Sequence, residues 1–361
     1  LRRAFGLRLS FLYAWARMTV IAAGSIALLA FVFGDYVSRL APLGEFSAAI
    51  YAALIVLALT AVNVAGIRAG ASTQNWLTLC EVGGLVIIVV AGLFLAPAAA
   101  PGAAPAQAAP WHAGLGLMMI LVLLTYGGWN EAAYISAELK QPGRNMVRSL
   151  VLSIALVTAL YLLVNLAYLR GLGLTGMGRS QAVAADLLGR TWGDFGTRLI
   201  SVLIAVSTLT SINATMIVGA RSNYALGGEW RLFAFLARWD AAAGTPRNAL
   251  LFQCAIALGL IGLGAVTRKG FETLVDYTAP VFWAFFLLVG VALFVLRRRE
   301  AGVARPFRVP LYPLTPAIFV ATCAYLLYSS LAYTGVGAWV GVGVIAAGGI
   351  VLLVAQATAR R

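Results

Sequence analysis

Apolar runs of about twenty residues recur down the whole chain, and they constrain its fold more than any other feature. A membrane-spanning helix needs about 20 predominantly apolar residues. Ten segments qualify: 10–33, 44–66, 75–96, 112–139, 149–171, 196–222, 248–267, 273–296, 314–334 and 336–358. In hydrocarbon every backbone N–H and C=O must be satisfied within the protein, so only helices and closed barrels can cross. Alternation of period two is absent, which argues against an outer-membrane barrel. The expected fold class is therefore all-α, a polytopic membrane helix bundle. Composition agrees, with 62% hydrophobic and 11% charged residues, against about 45–50% and 25% in soluble domains. No soluble unit can be separated, so residues 1–361 read as a single transmembrane domain.

The net charge of +14 suggests nucleic acid only if its distribution is ignored. With the amino terminus placed in the cytoplasm, the outer side holds Arg39, Arg170, Arg179, Arg190, Arg198, Arg268 and Lys269, leaving 19 of the 26 cations inside. Arg17 is counted among these inner-loop cations. This is the positive-inside bias, and it puts both ends of the chain in the cytoplasm. The excess is a topology signal and a surface for anionic lipid headgroups; no nucleic-acid partner is expected.

Catalysis finds little support. Cys80, Cys254 and Cys323 lie in apolar runs at unrelated spacings, without metal or disulfide pattern. The one histidine, His112, stands beside Trp111 at a membrane edge. An intramembrane enzyme would need a nucleophile–base pair or metal ligands within the spans, and a primary pump would need a phosphate-binding loop. Neither is visible, and no cofactor is expected.

Between the spans, Ala96 to Pro110 is a Pro/Ala-rich connector. Gln181 to Leu188 reads as a short helix on the outer surface, and Glu229 to Asp240 as an amphipathic helix at the inner interface. The Arg- and Pro-rich stretch from Arg297 to Pro316 cannot be helical throughout. The last hairpin turns near Thr334 to Gly337.

One run breaks the pattern. In Thr125-Tyr126-Gly127-Gly128-Trp129-Asn130-Glu131, paired glycines interrupt a span beside an amide and a carboxylate. Each glycine costs a helix interior roughly 1 kcal/mol against Ala. Non-helical backbone at membrane depth survives only where protein or a watery cavity covers it. A broken helix beside polar side chains is a binding-site hypothesis by default. A kink at a close helix crossing is the competing explanation.

Several motifs together resemble the amino acid permeases of the amino acid–polyamine–organocation (APC) superfamily. Tyr126-Gly-Gly-Trp-Asn followed by Ala137-Glu138-Leu139-Lys140-Gln141-Pro142 is similar to that family's sixth helix and the loop after it. Arg297-Arg-Arg-Glu300 with Arg305-Pro306-Phe307-Arg308-Val309-Pro310 resembles its loop after helix ten. Ser207 to Asn213 with Ala220-Arg221 resembles helix eight, Phe11 to Trp15 the start of helix three, and Thr245-Pro246 the entry to helix nine. The resemblance implies a LeuT-type inverted-repeat transporter, with the substrate held between broken helices one and six. It aligns the first span here with family helix three, so these residues are expected to carry helices three to twelve and to lack the first two.

It further implies a secondary transporter moving an amino acid across the cell (inner) membrane by alternating access, as an exchanger (antiporter) or a proton-coupled symporter. Tyr126, Gly127, Gly128, Trp129 and Asn130 would bind substrate. Leu124 stands where the family often has a Phe gate. Glu81 stands where many members carry a Lys. An ionised carboxylate is costly to bury, so Glu81 could load and release a proton. A hydrogen-bonded structural role is its plainer alternative. Glu131 would face the cavity or the cytoplasmic vestibule, and Glu138 would pair with an inner-face Arg in a gate. Ser207 and Thr208 match the region beside the family's helix-one cation site, although Ser and Thr in such helices often bond their own backbone. Asn213 reads as an interhelical hydrogen bond. Asp276 and Tyr277 could serve an outer gate or anchor at the interface. The alternative overall is a transport-inactive fragment, or a scaffold or sensor derived from such a permease.

Overall fold

The computed structural model describes residues 1–98, 118–119, 122–123, 125–128, 130–131, 142–180, 182–267, 270–303, 305, 307–333 and 336–359. Among them the backbone is helical almost throughout. A short α1 (Arg2–Phe5) leads into α2 (Leu7–Ala16), a π-helical turn (Arg17–Ile21) and α3 (Ala22–Leu40). Helices α4 (Ser47–Ala65) and α5 (Ile67–Val90) follow, the latter ending in a second π turn (Ala91–Leu95). Then come α6 (Pro142–Arg179), α7 (Val183–Glu229), a 3-10 helix (Arg231–Ala237), α8 (Arg247–Thr267), α9 (Gly270–Arg299), α10 (Leu314–Tyr333) and α11 (Val336–Ala359). Nine stretches among the described residues are long and apolar enough to cross a membrane. The expected span over 112–139 falls largely outside them, as do His112, most of the Pro/Ala connector, and Thr334 and Gly335 of the last hairpin.

The bundle is built around α3, α4, α7 and α8. Ile26, Ala27, Ala30, Val56, Ile212, Met216 and Ala257 form one continuous core. Small side chains let these helices approach closely, as membrane helices require when lipid gives no hydrophobic drive for association. At Gly34 a Cβ would stand 2.9 Å from the Ala48 Cα, so only glycine fits that crossing of α3 and α4. Outward-turned apolar faces lie on α4, with Leu57 exposed, and on α6, with Leu152, Leu156 and Leu162 exposed. Lipid chains suit such a surface; water does not.

Amides stitch the core. Asn213, fully buried on α7, accepts from Asn63 Nδ2 (2.7 Å) and donates to the Gly70 carbonyl (3.1 Å) and Gln74 Oε1 (3.0 Å). These bonds join α4, α5 and α7, as the interhelical reading of Asn213 anticipated. At the amino-terminal end of the bundle, Arg2 pairs with Glu229 (2.6 Å) and Arg3 with Glu300 (2.5 Å), while Arg299 donates to the Ala4 carbonyl (2.9 Å).

One connection matches expectation and one differs. Residues from Val183 on are helical, and the non-helical Gly193 (φ 59°, ψ −141°) divides this first short helix from the long membrane-crossing part of α7. In the Glu229–Asp240 stretch Glu229 ends α7, and the following Arg231–Ala237 is 3-10 rather than an amphipathic α-helix. Trp230 and Phe233 are drawn onto Phe11, with ring centroids at 4.7 and 6.1 Å. The Asp240 carboxylate then accepts from the backbone N–H groups of Ala242 and Ala243 and turns the chain toward α8. A segment pinned at both ends so closely has no room for a longer amphipathic helix. After α9 the Arg- and Pro-rich stretch leaves helical structure until Leu314, as its prolines require.

Candidate substrate site

The glycine break is present in the backbone. Helical pairing persists up to Tyr126, whose N–H donates to the Val122 carbonyl (3.1 Å). Tyr126, Gly127 and Gly128 then form a turn, and Glu131 N–H closes it on the Gly128 carbonyl (3.0 Å). Gly128 has φ +92°, a conformation side chains disfavour. Among the described residues, chain neighbours apart, no atom lies within 4 Å of where its Cβ would sit.

Two polar clusters flank the break. On its amino-terminal side the Tyr126 ring lies edge-on to Tyr161 of α6 (5.1 Å), and the Tyr161 hydroxyl donates to the Thr125 carbonyl (3.1 Å). Glu81 of α5 is within electrostatic reach of that phenol. Its Oε1 accepts a 2.7 Å hydrogen bond from the Ser207 hydroxyl of α7. Ser207 and Glu81 thus form one hydrogen-bonded pair, and Tyr161 with Tyr126 a ring pair beside the break. Thr208 does not join it; its hydroxyl is buried and donates to the Ala205 carbonyl of its own helix (2.7 Å).

On the carboxyl-terminal side stands a residue that sequence reading misassigned. Arg17 is no loop cation: it is buried, 3% exposed, in the π turn of the first span. Its guanidinium grips both Glu131 oxygens, at 3.2 and 2.5 Å, while its Nε donates to the Ser222 hydroxyl (3.0 Å). Asn130 Nδ2 donates to the same Glu131 carboxylate (3.0 Å). Glu131 is thus held by Arg17 and Asn130 with its side chain 27% exposed. The available signal was the position of Arg17 well inside an apolar run, where an intramembrane cation demands a partner. Trp129 and Glu138 lie outside the described residues, as do the side chains of Asp276 and Tyr277.

Known proteins resemble this chain in sequence. Residues 1–355 match the amino acid permease family. The chain is 29% identical over 342 residues to the mouse (Mus musculus) b(0,+)-type amino acid transporter 1, covering 92% of this chain and 68% of that one. It is 29% identical over 363 residues to the mouse large neutral amino acids transporter small subunit 2, covering 95% and 65%. It is 26% identical over 337 residues to the serine/threonine exchanger SteT of Bacillus subtilis (strain 168), covering 92% and 75%. The chain thus spans about two thirds to three quarters of the length of these relatives. A helical, membrane-type bundle with a broken helix flanked by polar side chains, matched along nearly its whole length, belongs to the amino acid permease family.

Proposed function

We propose that this chain forms a secondary transporter that moves a zwitterionic amino acid across a bacterial inner membrane by alternating access, with its substrate seated at Tyr126, Gly127, Gly128, Trp129 and Asn130. The observation that carries the reading is the break itself. An amino acid presents an ammonium and a carboxylate, and both need hydrogen-bonding partners when they leave water. A helix offers none along its length, because its backbone is already paired. At Gly128 no Cβ blocks an approach to the backbone, and among the described residues, chain neighbours apart, nothing stands within 4 Å of where one would sit.

Neutral amino acids are the favoured class, in keeping with relatives described as a large neutral amino acids transporter and a serine/threonine exchanger. Glu81 is proposed as the coupling carboxylate. Its hydrogen bond from Ser207 suits either protonation state, since a hydroxyl both donates and accepts. Proton-coupled uptake would use its titration; exchange would leave it a fixed structural acceptor. The cation bias supports a cytoplasmic position for the paired ends of α1, α7 and α9.

The test is uptake and exchange of a labelled amino acid panel by the protein in proteoliposomes. Saturable uptake of at least one amino acid above protein-free vesicles is expected. Uptake that never rises above those vesicles for any member of the panel would refute the reading.

A further inference from the structure

We propose that Arg17 is a positioning residue for the substrate seat: its ion pair with Glu131 clamps the chain after the glycine break onto the first span and α7. Rearrangement at the break is thereby confined to the residues before Gly128. This rests on the seat proposed above.

Four observations carry it. First, the guanidinium is fixed in three directions, by both Glu131 oxygens and by the Ser222 hydroxyl. A planar fork held this way sets the position of the carboxylate as well as its charge. Second, Ser222 is itself anchored, donating to the Val218 carbonyl of α7 (3.2 Å). Third, Arg17 opens a π-helical turn, which inserts an extra residue into the helix and redirects the side chains around it. Fourth, Asn130 bonds the same carboxylate, so a seat residue is oriented through Glu131.

The two sides of the break are held differently. Before it, among the described residues, the Tyr126 ring lies against Tyr161 and the Thr125 carbonyl accepts from the exposed Tyr161 hydroxyl. After it stands a charge pair whose cationic side chain is 4% exposed and whose anionic one is 27% exposed. Removing Glu131 takes the counter-charge from a buried cation, and removing Arg17 takes it from a part-buried carboxylate, whereas removing both need not destabilise the fold. The clamp can therefore be separated from the fold by experiment.

The variants are Arg17→Met, Glu131→Met, the double Arg17→Met/Glu131→Met, and Arg17→Lys. Each is measured by unfolding in detergent, by hydrogen exchange across residues 122–131, and by the KM and kcat of exchange. The single Met variants are expected to lose stability and the double variant to regain most of it. In the double variant exchange at the Glu131 amide should quicken at least tenfold, with the Tyr126 amide unchanged. KM should rise at least tenfold, and by more than kcat falls. Arg17→Lys keeps the charge but loses the fork, and should raise KM several-fold at near-native stability. A double variant with native KM and native hydrogen exchange at Glu131 would overturn the clamp. Wild-type protein that transports nothing would sink the functional reading instead, and the hydrogen-exchange comparison would still decide whether the clamp exists.

Discussion

Asn213→Leu offers a quantitative probe of how the bundle is held together. Leucine nearly matches asparagine in size, so the substitution chiefly removes hydrogen bonds. Three are lost, from Asn63 and to Gly70 and Gln74, at a residue that is fully buried. Interhelical hydrogen bonds in membrane proteins average about 0.6 kcal/mol, so the expected loss is about 2 kcal/mol. Stranding Gln74 Oε1 raises it further. Asn63 is partly spared, because its Nδ2 also donates to the Leu59 carbonyl (2.8 Å). The double variant Asn63→Leu/Asn213→Leu should therefore cost less than the sum of the singles, by about 1 kcal/mol, as expected for side chains in contact. Equilibrium unfolding in mixed detergent micelles measures both quantities. Asn213→Leu within about 0.5 kcal/mol of wild type, or strict additivity in the double variant, would show that the amides do not tie α4, α5 and α7 together.

Two further outcomes follow from the same structure. Gly34→Val forces a branched side chain into the Ala48 backbone and should destabilise the protein by about 1–3 kcal/mol, the usual range for overpacking; native detergent stability would mean that α3 and α4 do not cross there. Glu81→Gln keeps a hydrogen-bond acceptor for Ser207 but cannot ionise, so uptake that depends on pH in the wild type should become independent of it. Wild-type uptake already flat with pH, and unchanged in Glu81→Gln, removes the carboxylate from coupling.

Most of the architecture was legible because hydrocarbon permits so few solutions. Run length alone located nine of the spans found here, since a bilayer crossing has a fixed thickness and a helix a fixed rise. The glycine break was equally legible: two adjacent glycines in a span leave little to pack and no helix preference. Less visible was whatever depended on which residues meet in space. Arg17 looked like one of many loop arginines, because a count of charges says nothing about burial. Its partner Glu131 is distant in sequence, and only the fold brings the two together. Asn63 and Gln74 passed unnoticed for the same reason: each lies alone in an apolar stretch, and the network appears only once α4, α5 and α7 are assembled. Ser207 and Thr208 are adjacent hydroxyls of like chemistry. Helical geometry turns one toward Glu81 and the other back onto its own carbonyls, a distinction that depends on the neighbouring helix. The Glu229–Asp240 stretch misled because an amphipathic pattern does not reveal that both its ends are tied down.

Gly128→Ala asks whether the backbone turn at Gly127-Gly128 seats an amino acid. Among the described residues, chain neighbours apart, a methyl group there meets no atom within 4 Å, but φ +92° is strained for any side chain, at a cost of about 1–3 kcal/mol borne locally. Wild type and variant are compared in proteoliposomes for saturable exchange of the best labelled amino acid, with folding checked by size-exclusion profile. The variant is expected to fold, with KM raised at least tenfold or exchange lost. A folded Gly128→Ala protein with wild-type KM would contradict a seat at this turn.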